Sequence, residues 1–208
     1  MSTPQKIAIV NYGMGNIHTV YKKIQQTNSA PTIVSTAEEL LNADKIVLPG
    51  VGHFAKAMEN LQRNGLLDAL NDLVLHKKKP VLGICLGMQL MSKFSEEGDV
   101  EGLGWIDAKV MRFQIKDQLT HKIPQTGWNS IQKHGDSPLL KKIDDNAEFY
   151  FLHSYHYHAP SYTNVIASTV FEYEYISAVQ KENIFGTQFH PEKSHDTGLQ
   201  LLNNFIAL

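Results

Sequence analysis

The sequence predicts an α/β fold of three layers: a mostly parallel central sheet covered by helices on both faces, with an antiparallel extension in the C-terminal half. Up to residue 94, short apolar runs alternate with segments whose apolar residues recur at helical spacing, which indicates a buried parallel sheet. Beyond about Gly104, strand-like runs follow one another with few helices between them. Because no linker rich in Gly, Ser or Pro separates the halves, we expect residues 1–208 to form a single domain.

Strands and helices alternate in the N-terminal half. The predicted strands are residues 6–10, 32–35, 45–48 and 80–84. The predicted helices are residues 16–26, a short helix after Thr36, residues 53–76 with a break at 64–65, and residues 86–94. Thr36 and Glu39 have the spacing of a capping box, which sets the start of the short helix. Parallel sheets carry their sites at the carboxyl ends of the strands, so the turns after the third and fourth strands are candidate sites.

The C-terminal half is predicted to consist mainly of strands and to end in a helix. The strand-like runs are residues 108–115, 129–133, 148–158, 165–170, 176–180 and 184–189. Residues 195–207 have apolar residues at helical spacing and form the last predicted helix. This order predicts a largely antiparallel extension of the sheet.

Composition bears on which partners and which cellular compartment we expect for the protein. With 19 basic and 21 acidic residues the net charge is −2, which gives no electrostatic reason to expect binding to nucleic acid or to an anionic membrane. A single cysteine excludes an internal disulfide and suits a reducing compartment. The N-terminal apolar run is too short for a signal peptide or a membrane span. We therefore expect a cytoplasmic protein.

The cysteine lies where an apolar strand changes directly into a helix-like pattern. Gly83 and Gly87 flank Cys85 at i−2 and i+2, which is the spacing of a nucleophile elbow with Cys in place of Ser. Glycine suits such a turn because the two chain segments beside the apex approach closely. The helix that follows would present free N–H groups to a thiolate or an oxyanion. The alternative is a buried structural cysteine, but the glycine pair favours a nucleophile.

A histidine and a carboxylate follow the last predicted strand, as His190-Pro-Glu192. Proline favours extended geometry before it, and in an extended segment residues i and i+2 project on the same side. Glu192 could then hold one nitrogen of His190 and leave the other for a thiol, which is the logic of a catalytic triad. Alternatively, His190 simply ends a strand and Glu192 is solvated.

Glycines also end the third strand, in Pro49-Gly-Val-Gly52. They permit a peptide N–H to turn inward, and with the Leu86 N–H it would form an oxyanion hole. The same tetrapeptide could equally be an ordinary turn.

Three histidines in one strand-like run, His153, His156 and His158, raise the question of a metal site. No cysteine and no acidic pattern accompanies them, so we interpret them as polar strand positions. We expect neither a metal nor a cofactor.

Together these motifs closely resemble class I (triad) glutamine amidotransferases, and more narrowly the glutaminase subunits of imidazole glycerol phosphate synthase. The resemblance runs nearly end to end and in the right order. It implies the flavodoxin-like central sheet of the class I glutaminases. The blocks that carry it are Asn11-Tyr-Gly-Met-Gly-Asn16, Pro49-Gly-Val-Gly-His-Phe54, Gly83-Ile-Cys-Leu-Gly-Met-Gln89, Ser95-Glu-Glu-Gly98, Gly127-Trp-Asn129 and His190-Pro-Glu-Lys-Ser194.

The resemblance implies an enzyme that hydrolyses L-glutamine to glutamate and ammonia through a thioester on Cys85. His190 would move the protons and Glu192 would orient it. The implied oxyanion site is the backbone around Gly50, Val51, Gly52 and Leu86. The positions that match the glutamine-holding residues are Gln89, Glu97, Ser154 and Tyr155.

The resemblance also implies a (β/α)₈-barrel cyclase as the partner of a heterodimer in histidine biosynthesis. The ammonia would yield imidazole glycerol phosphate and an aminoimidazole carboxamide ribotide there. The positions that match the subunit interface are Asn16, Trp128, Tyr150 and Lys193. One departure is Pro124-Gln-Thr126, where family members commonly have Pro-His-Met.

Three alternatives stay open on the sequence. A paralogous glutaminase subunit would supply ammonia to a barrel partner for surface-sugar amidation. A cysteine peptidase or γ-glutamyl hydrolase would share the elbow and differ in substrate. A binding module would have kept the fold without the chemistry, although the complete set of Cys, His and Glu argues against it.

Overall fold

The computed structural model of the chain describes residues 5–27, 29–117 and 119–208. The helices are α1 Ile17–Gln25, α2 Ala37–Leu41, α3 Phe54–Arg63, α4 Leu66–Asn71, which continues as a π-helical turn Asp72–His76, α5 Leu86–Leu90 and α6 His195–Ala207. The strands are β1 Lys6–Val10, β2 Ala30–Val34, β3 Lys45–Gly50, β4 Val81–Cys85, β5 Phe94–Ser95, β6 Val100–Glu101, β7 Lys109–Arg112, β8 Gln125–Ser130, β9 Gln132–Lys133, β10 Glu148–His153, β11 Tyr155–His158, β12 Val165–Phe171, β13 Tyr173–Lys181 and β14 Ile184–Thr187.

The main sheet has a parallel centre and an antiparallel flank. Five strands are parallel in the order β2-β1-β3-β4-β14. β13 then pairs antiparallel with β14, and β11, β7, β5 and β6 extend the sheet from there, while β12 pairs with β13. β8 and β10 form a separate antiparallel pair. The predicted fold class, α/β with an antiparallel extension in the C-terminal half, is confirmed.

Helices cover both faces of the parallel centre, as the alternation of its side chains requires. Ile7 and Ile9 of β1 lie in one apolar cluster, together with residues of α1 and α6. Ala8 and Val10 point to the other face and lie in a second cluster, with residues of α2, α3, α4 and α5. In the part of the chain that the structure describes, α1 and α6 therefore form one outer layer, the sheet forms the middle layer, and α2, α3, α4 and α5 form the other outer layer.

The direction of the parallel strands determines which edge of the sheet carries the candidate active-site residues. β1, β3, β4 and β14 run in the same direction, so the segments that follow them all emerge at one edge of the sheet. These segments are residues 11–16, 51–53, 86–90 and 188–192. Topology alone thus brings the glycine-rich turns, the cysteine and the His-Pro-Glu motif to one edge.

Several predicted elements are confirmed, including the bounds of β1 and of α6. The capping box of Thr36 and Glu39 is present at the start of α2, and the break between α3 and α4 falls at residues 64–65. None of the helices in the described ranges has both the length and the apolar character needed to span a membrane.

The predicted helix over residues 86–94 is wrong beyond Leu90, where α5 ends. The carbonyl groups of Leu90, Met91 and Lys93 accept hydrogen bonds from the N–H groups of Leu103, Ile106 and Gly102, respectively, at 2.7, 2.9 and 3.0 Å. Local periodicity does not reveal these partners, because they come from a loop about ten residues away.

The predicted strand over residues 148–158 is also wrong as a single element, because it is interrupted at Ser154. β10 pairs with β8, whereas β11 pairs with β7 and β13 in the main sheet. Ser154 and Tyr155, at this interruption, line the cavity described below.

Candidate active site

Cys85 ends β4 and directly precedes α5, and its backbone is strained. Its φ of 54° and ψ of −111° lie in a region that side chains with a Cβ rarely adopt. The glycines on either side permit the turn because the chain segments nearly touch. A methyl group on Gly83 would lie 2.7 Å from the Gly87 carbonyl oxygen, and one on Gly87 would overlap the carbonyl oxygen of Leu48 in β3. The structure therefore has the elbow geometry that the spacing predicts.

Cys85 is 5% exposed, and its thiol lies beside two polar groups. Its Sγ atom is 3.7 Å from the carbonyl oxygen of Leu152, to which the thiol can donate. The Gln188 Nε2 atom lies 3.7 Å from the same sulfur and can donate to it. The sulfur therefore has an N–H donor beside it.

His190 and Glu192 form a buried pair at the start of a 3₁₀ turn, Pro191–Lys193. The Nδ1 atom of His190 lies 2.8 Å from Glu192 Oε1, and the side chains are 1% and 4% exposed. Burial lowers the pKa of His190, but the neighbouring Cys85 and Glu192 outweigh it and raise the pKa to about 10. The Nε2 atom has no well-formed hydrogen bond within the described residues, although Cys85 is close enough to act on the ring.

A cavity of about 310 Å³ opens beside the thiol. It brings together the predicted nucleophile, two residues of the glycine turn, Leu86 and all four residues predicted to bind glutamine. Gly50 does not line the cavity, but it pairs with Cys85 in the register of β3 and β4. The lining residues are Val51, Gly52, Cys85, Leu86, Gln89, Glu97, Pro124, Leu152, His153, Ser154 and Tyr155.

Hydrogen bonds hold two polar residues of the cavity in place. Gln89 Nε2 donates to the Tyr155 carbonyl oxygen and to Gln188 Oε1, both at 3.0 Å. Glu97 Oε2 accepts the N–H of Phe54, the first residue of α3, at 2.8 Å. The carboxylate therefore lies at the N-terminus of a helix. An amide and a carboxylate fixed in this way can orient a small polar ligand.

Three residues near the thiol were missed by the sequence analysis. Leu152 and Gln188 contact Cys85, as described above, and His153 lines the cavity. Gln188 could have been found, because it lies two residues before His190 in the segment after β14 and so projects on the same side. Leu152 contributes a backbone carbonyl, for which the sequence has no signal.

The histidine run has the polar strand character that the sequence analysis preferred. His153 Nδ1 donates to the Tyr155 carbonyl oxygen at 2.7 Å, and its Nε2 lies 3.3 Å from the Tyr175 hydroxyl. Burial lowers the pKa of His153 to about 3, so the ring is neutral at pH 7. Both nitrogens of His156 are likewise hydrogen-bonded. In the described ranges, no three His, Cys, Asp or Glu side chains are grouped so that they could hold a metal ion.

Three of the four predicted interface residues, Trp128, Tyr150 and Lys193, form a surface next to His190. Trp128 is 46% exposed and stacks on His195 with ring centroids 4.9 Å apart. Lys193 Nζ lies 5.2 Å from the centre of the Tyr150 ring, and this ring is 6.4 Å from that of His190. The fourth residue, Asn16, caps α1 through its side chain at the same edge of the sheet.

Comparison with known proteins agrees with this geometry. The model of the family "Glutamine amidotransferase class-I" matches residues 8–208. The chain is 45% identical over 205 residues to the imidazole glycerol phosphate synthase subunit HisH of Leptospira interrogans, covering 97% of this chain and 100% of the relative. It is 44% identical over 200 residues to subunit HisH 2 of the same enzyme in Methanococcus maripaludis, covering 96% and 98%.

Solved structures share the fold at lower identity. The structure of PurLQS from Thermotoga maritima superposes with a TM-score of 0.77 at 16% identity, covering 99% of each chain. A putative GMP synthase protein from Thermoplasma acidophilum superposes with a TM-score of 0.75 at 20% identity, covering 100% of this chain and 94% of the other. The chain belongs to the class-I glutamine amidotransferases and, within them, to the family of the imidazole glycerol phosphate synthase subunits HisH.

Proposed function

We propose that this chain hydrolyses glutamine to glutamate and ammonia as the glutaminase subunit of imidazole glycerol phosphate synthase. The observation that carries the proposal is the arrangement around one sulfur. Cys85 stands on a strained elbow at an open cavity, and the buried His190–Glu192 pair lies beside it. Membership of the HisH family supports the same assignment.

The reaction follows from the positions of these groups. The Cys85 thiol transfers its proton to His190 Nε2, whose raised pKa favours holding the proton beside the thiolate, and Sγ then attacks the amide carbon of glutamine. The tetrahedral intermediate then collapses to a thioester, and His190 returns the proton to the departing nitrogen, which leaves as ammonia. His190 next takes a proton from water, whose oxygen attacks the thioester, and glutamate and the thiol are released. Glu192 holds the imidazole in one orientation throughout.

Glutamine would be held by the polar residues of the cavity. The Glu97 carboxylate suits the α-ammonium group of the substrate, and Gln89 with the backbone of Ser154 and Tyr155 supplies further donors and acceptors. The oxyanion would be stabilised by N–H groups from residues 50–52 and from Leu86. We assign residues 1–208 to one glutaminase domain that works in the cytoplasm.

The ammonia would pass to a (β/α)₈-barrel cyclase subunit, which docks on the surface that carries Asn16, Trp128, Tyr150 and Lys193. An exposed tryptophan beside a stacked histidine and a lysine–tyrosine contact is the composition of an interface anchor. Tyr150 links this surface to the catalytic histidine, because its carbonyl oxygen accepts the His190 N–H at 2.9 Å.

Glutamine hydrolysis by the chain with and without its co-expressed cyclase subunit tests the function. We expect little turnover by the isolated chain, because the partner and its nucleotide substrate select the active arrangement of the oxyanion loop, residues 50–52. With both present, glutamate and imidazole glycerol phosphate should form in equal amounts. Full turnover by the isolated chain would contradict the coupling. Cleavage of peptides without hydrolysis of free glutamine would contradict the substrate.

Glu192→Gln is expected to lower the pKa of His190. The negative charge of Glu192, which raises this pKa, is lost, whereas burial of the ring, which lowers this pKa, remains. Glutamine hydrolysis should fall by about two orders of magnitude, since the imidazolium is no longer stabilised. Titration of the imidazole by NMR and initial rates in the complex measure the two effects.

Glu174→Gln is the matched control for this change. Glu174 Oε1 also lies near a histidine, 3.8 Å from His134 Nε2, but on an exposed part of the surface. Its hydrolysis rate should equal that of the wild type. A Glu192→Gln protein with the rate and the His190 titration of the wild type would disprove the role of the carboxylate.

A further inference from the structure

Tyr12 carries a buried hydroxyl that nothing in the described structure satisfies. The residue follows β1 in the glycine turn at the edge of the sheet, and it is fully buried. Its hydroxyl has no hydrogen-bond partner in the described residues. A buried hydroxyl without a partner destabilises the fold, and a phenylalanine of the same shape would avoid this cost. The hydroxyl is therefore unexplained by the folding of this arrangement.

The hydroxyl lies directly against the oxyanion loop, residues 50–52. A methyl group on Gly50 would overlap it, and the same methyl would lie 3.0 Å from Leu86 Cβ and 3.2 Å from the Gly87 nitrogen. Burial and, to a smaller extent, the charge of Cys85 raise the pKa of Tyr12 well above its usual value. The hydroxyl consequently keeps its proton and is available only as a neutral donor or acceptor.

The oxyanion loop is enclosed from two sides. Val51 and Gly52 face the cavity beside Cys85. From the other side the turn that contains Tyr12 packs against it: a methyl group on Gly15 would lie 3.2 Å from the Val51 nitrogen, and one on Gly52 would lie 2.6 Å from Met14 Cε. One side of the loop thus faces the cavity, and the other side packs against the turn that contains Tyr12.

Peptide geometry links the two sides. In a planar trans peptide the N–H and the C=O point in opposite directions. When the Gly50–Val51 peptide directs its N–H to the cavity, its carbonyl oxygen must turn towards the Tyr12 side, away from water. A buried carbonyl oxygen needs a donor. The Tyr12 hydroxyl lies against Gly50 and has a free proton, and the glycines at 50 and 52 make the rotation sterically accessible.

We propose that Tyr12 is a positioning residue of the oxyanion hole. Its hydroxyl donates a hydrogen bond to the carbonyl oxygen of the Gly50–Val51 peptide when the N–H of that peptide faces the cavity, and it thereby holds the N–H on the developing oxyanion. The inference rests on the proposed glutaminase function. It gives the otherwise unsatisfied hydroxyl a partner.

Tyr12→Phe in the full chain, assayed with the co-expressed cyclase subunit, tests the inference. We expect kcat for glutamine hydrolysis to fall about 10- to 100-fold, because an oxyanion donor is held less often in place, while KM changes less than about twofold. The melting temperature should be unchanged or higher, because an unsatisfied polar group has been removed. Alkylation of Cys85 by iodoacetamide should keep its rate, since displacement at a saturated carbon forms no oxyanion.

Tyr173→Phe is the matched control. The Tyr173 hydroxyl is satisfied, because it accepts the Gln114 N–H at 3.2 Å and lies 2.9 Å from His156 Nε2. Its removal should lower the melting temperature and leave kcat unchanged.

The outcomes separate the inference from the proposed function. Wild-type turnover by Tyr12→Phe would overturn the inference alone. A lower melting temperature with slower alkylation of Cys85 would also overturn it, because the hydroxyl would then be structural. A wild-type complex that does not hydrolyse glutamine would overturn the proposed function and the inference together.

Discussion

Cys85→Ala is expected to abolish glutamine hydrolysis in the complex with the cyclase subunit, by at least about four orders of magnitude, because no thioester can form. The chain has no second cysteine that could replace it. Cys85→Ser should be nearly as inactive, since a hydroxyl is a far weaker nucleophile than a thiolate at neutral pH. Release of glutamate from labelled glutamine measures the loss.

The same variant separates loss of chemistry from loss of structure. With ammonium salt supplied at a pH where free ammonia is present, the complex of Cys85→Ala should still form imidazole glycerol phosphate in the cyclase. Removal of the sulfur should also lower the pKa of His190, because Cys85 contributes to raising it. Glutamate release at the wild-type rate would rule out Cys85 as the nucleophile.

Much of the site could be predicted because its residues lie in short motifs on parallel strands. The spacing of Gly83 and Gly87 around Cys85 predicts a turn in which chain segments approach closely. The structure has this close approach at both glycines. Glu192 lies two residues beyond His190, and the structure brings the two side chains to 2.8 Å. The parallel order of β3, β4 and β14 then brings these motifs together at one edge. The catalytic roles of these residues stay predictions.

The parts that could not be predicted depend on partners distant in sequence. α5 ends at Leu90, and the carbonyl groups of Leu90 and of the residues just after it accept hydrogen bonds from a loop beyond residue 100. The strand pattern over 148–158 runs without interruption, although Ser154 separates two strands in different sheets. Tyr12 is the clearest case, because a sequence cannot show that a hydroxyl lacks a partner.

Gly87→Ala is expected to destabilise the fold by at least about 3 kcal/mol, or to prevent folding, because the added methyl enters space that a backbone occupies. It would overlap the carbonyl oxygen of Leu48 and lie 2.8 Å from the Leu48 carbonyl carbon. β3 cannot easily retreat, since it pairs with β1 on one side and β4 on the other. The gain of about 1 kcal/mol from replacing glycine by alanine in a helix is too small to compensate. Urea unfolding measures the change.

Gly65→Ala is the control that separates backbone crowding from the loss of glycine as such. Gly65 has a φ of 66°, but among the described residues outside its immediate chain neighbours no atom lies within 4 Å of a methyl group placed there. Its replacement should therefore cost only the left-handed strain, about 1–2 kcal/mol, and Gly65→Asn less, because asparagine tolerates this conformation. Equal losses for Gly87→Ala and Gly65→Ala would mean that β3 can move away from α5. The close crossing would then not require glycine, and the strained backbone of Cys85 would need another cause.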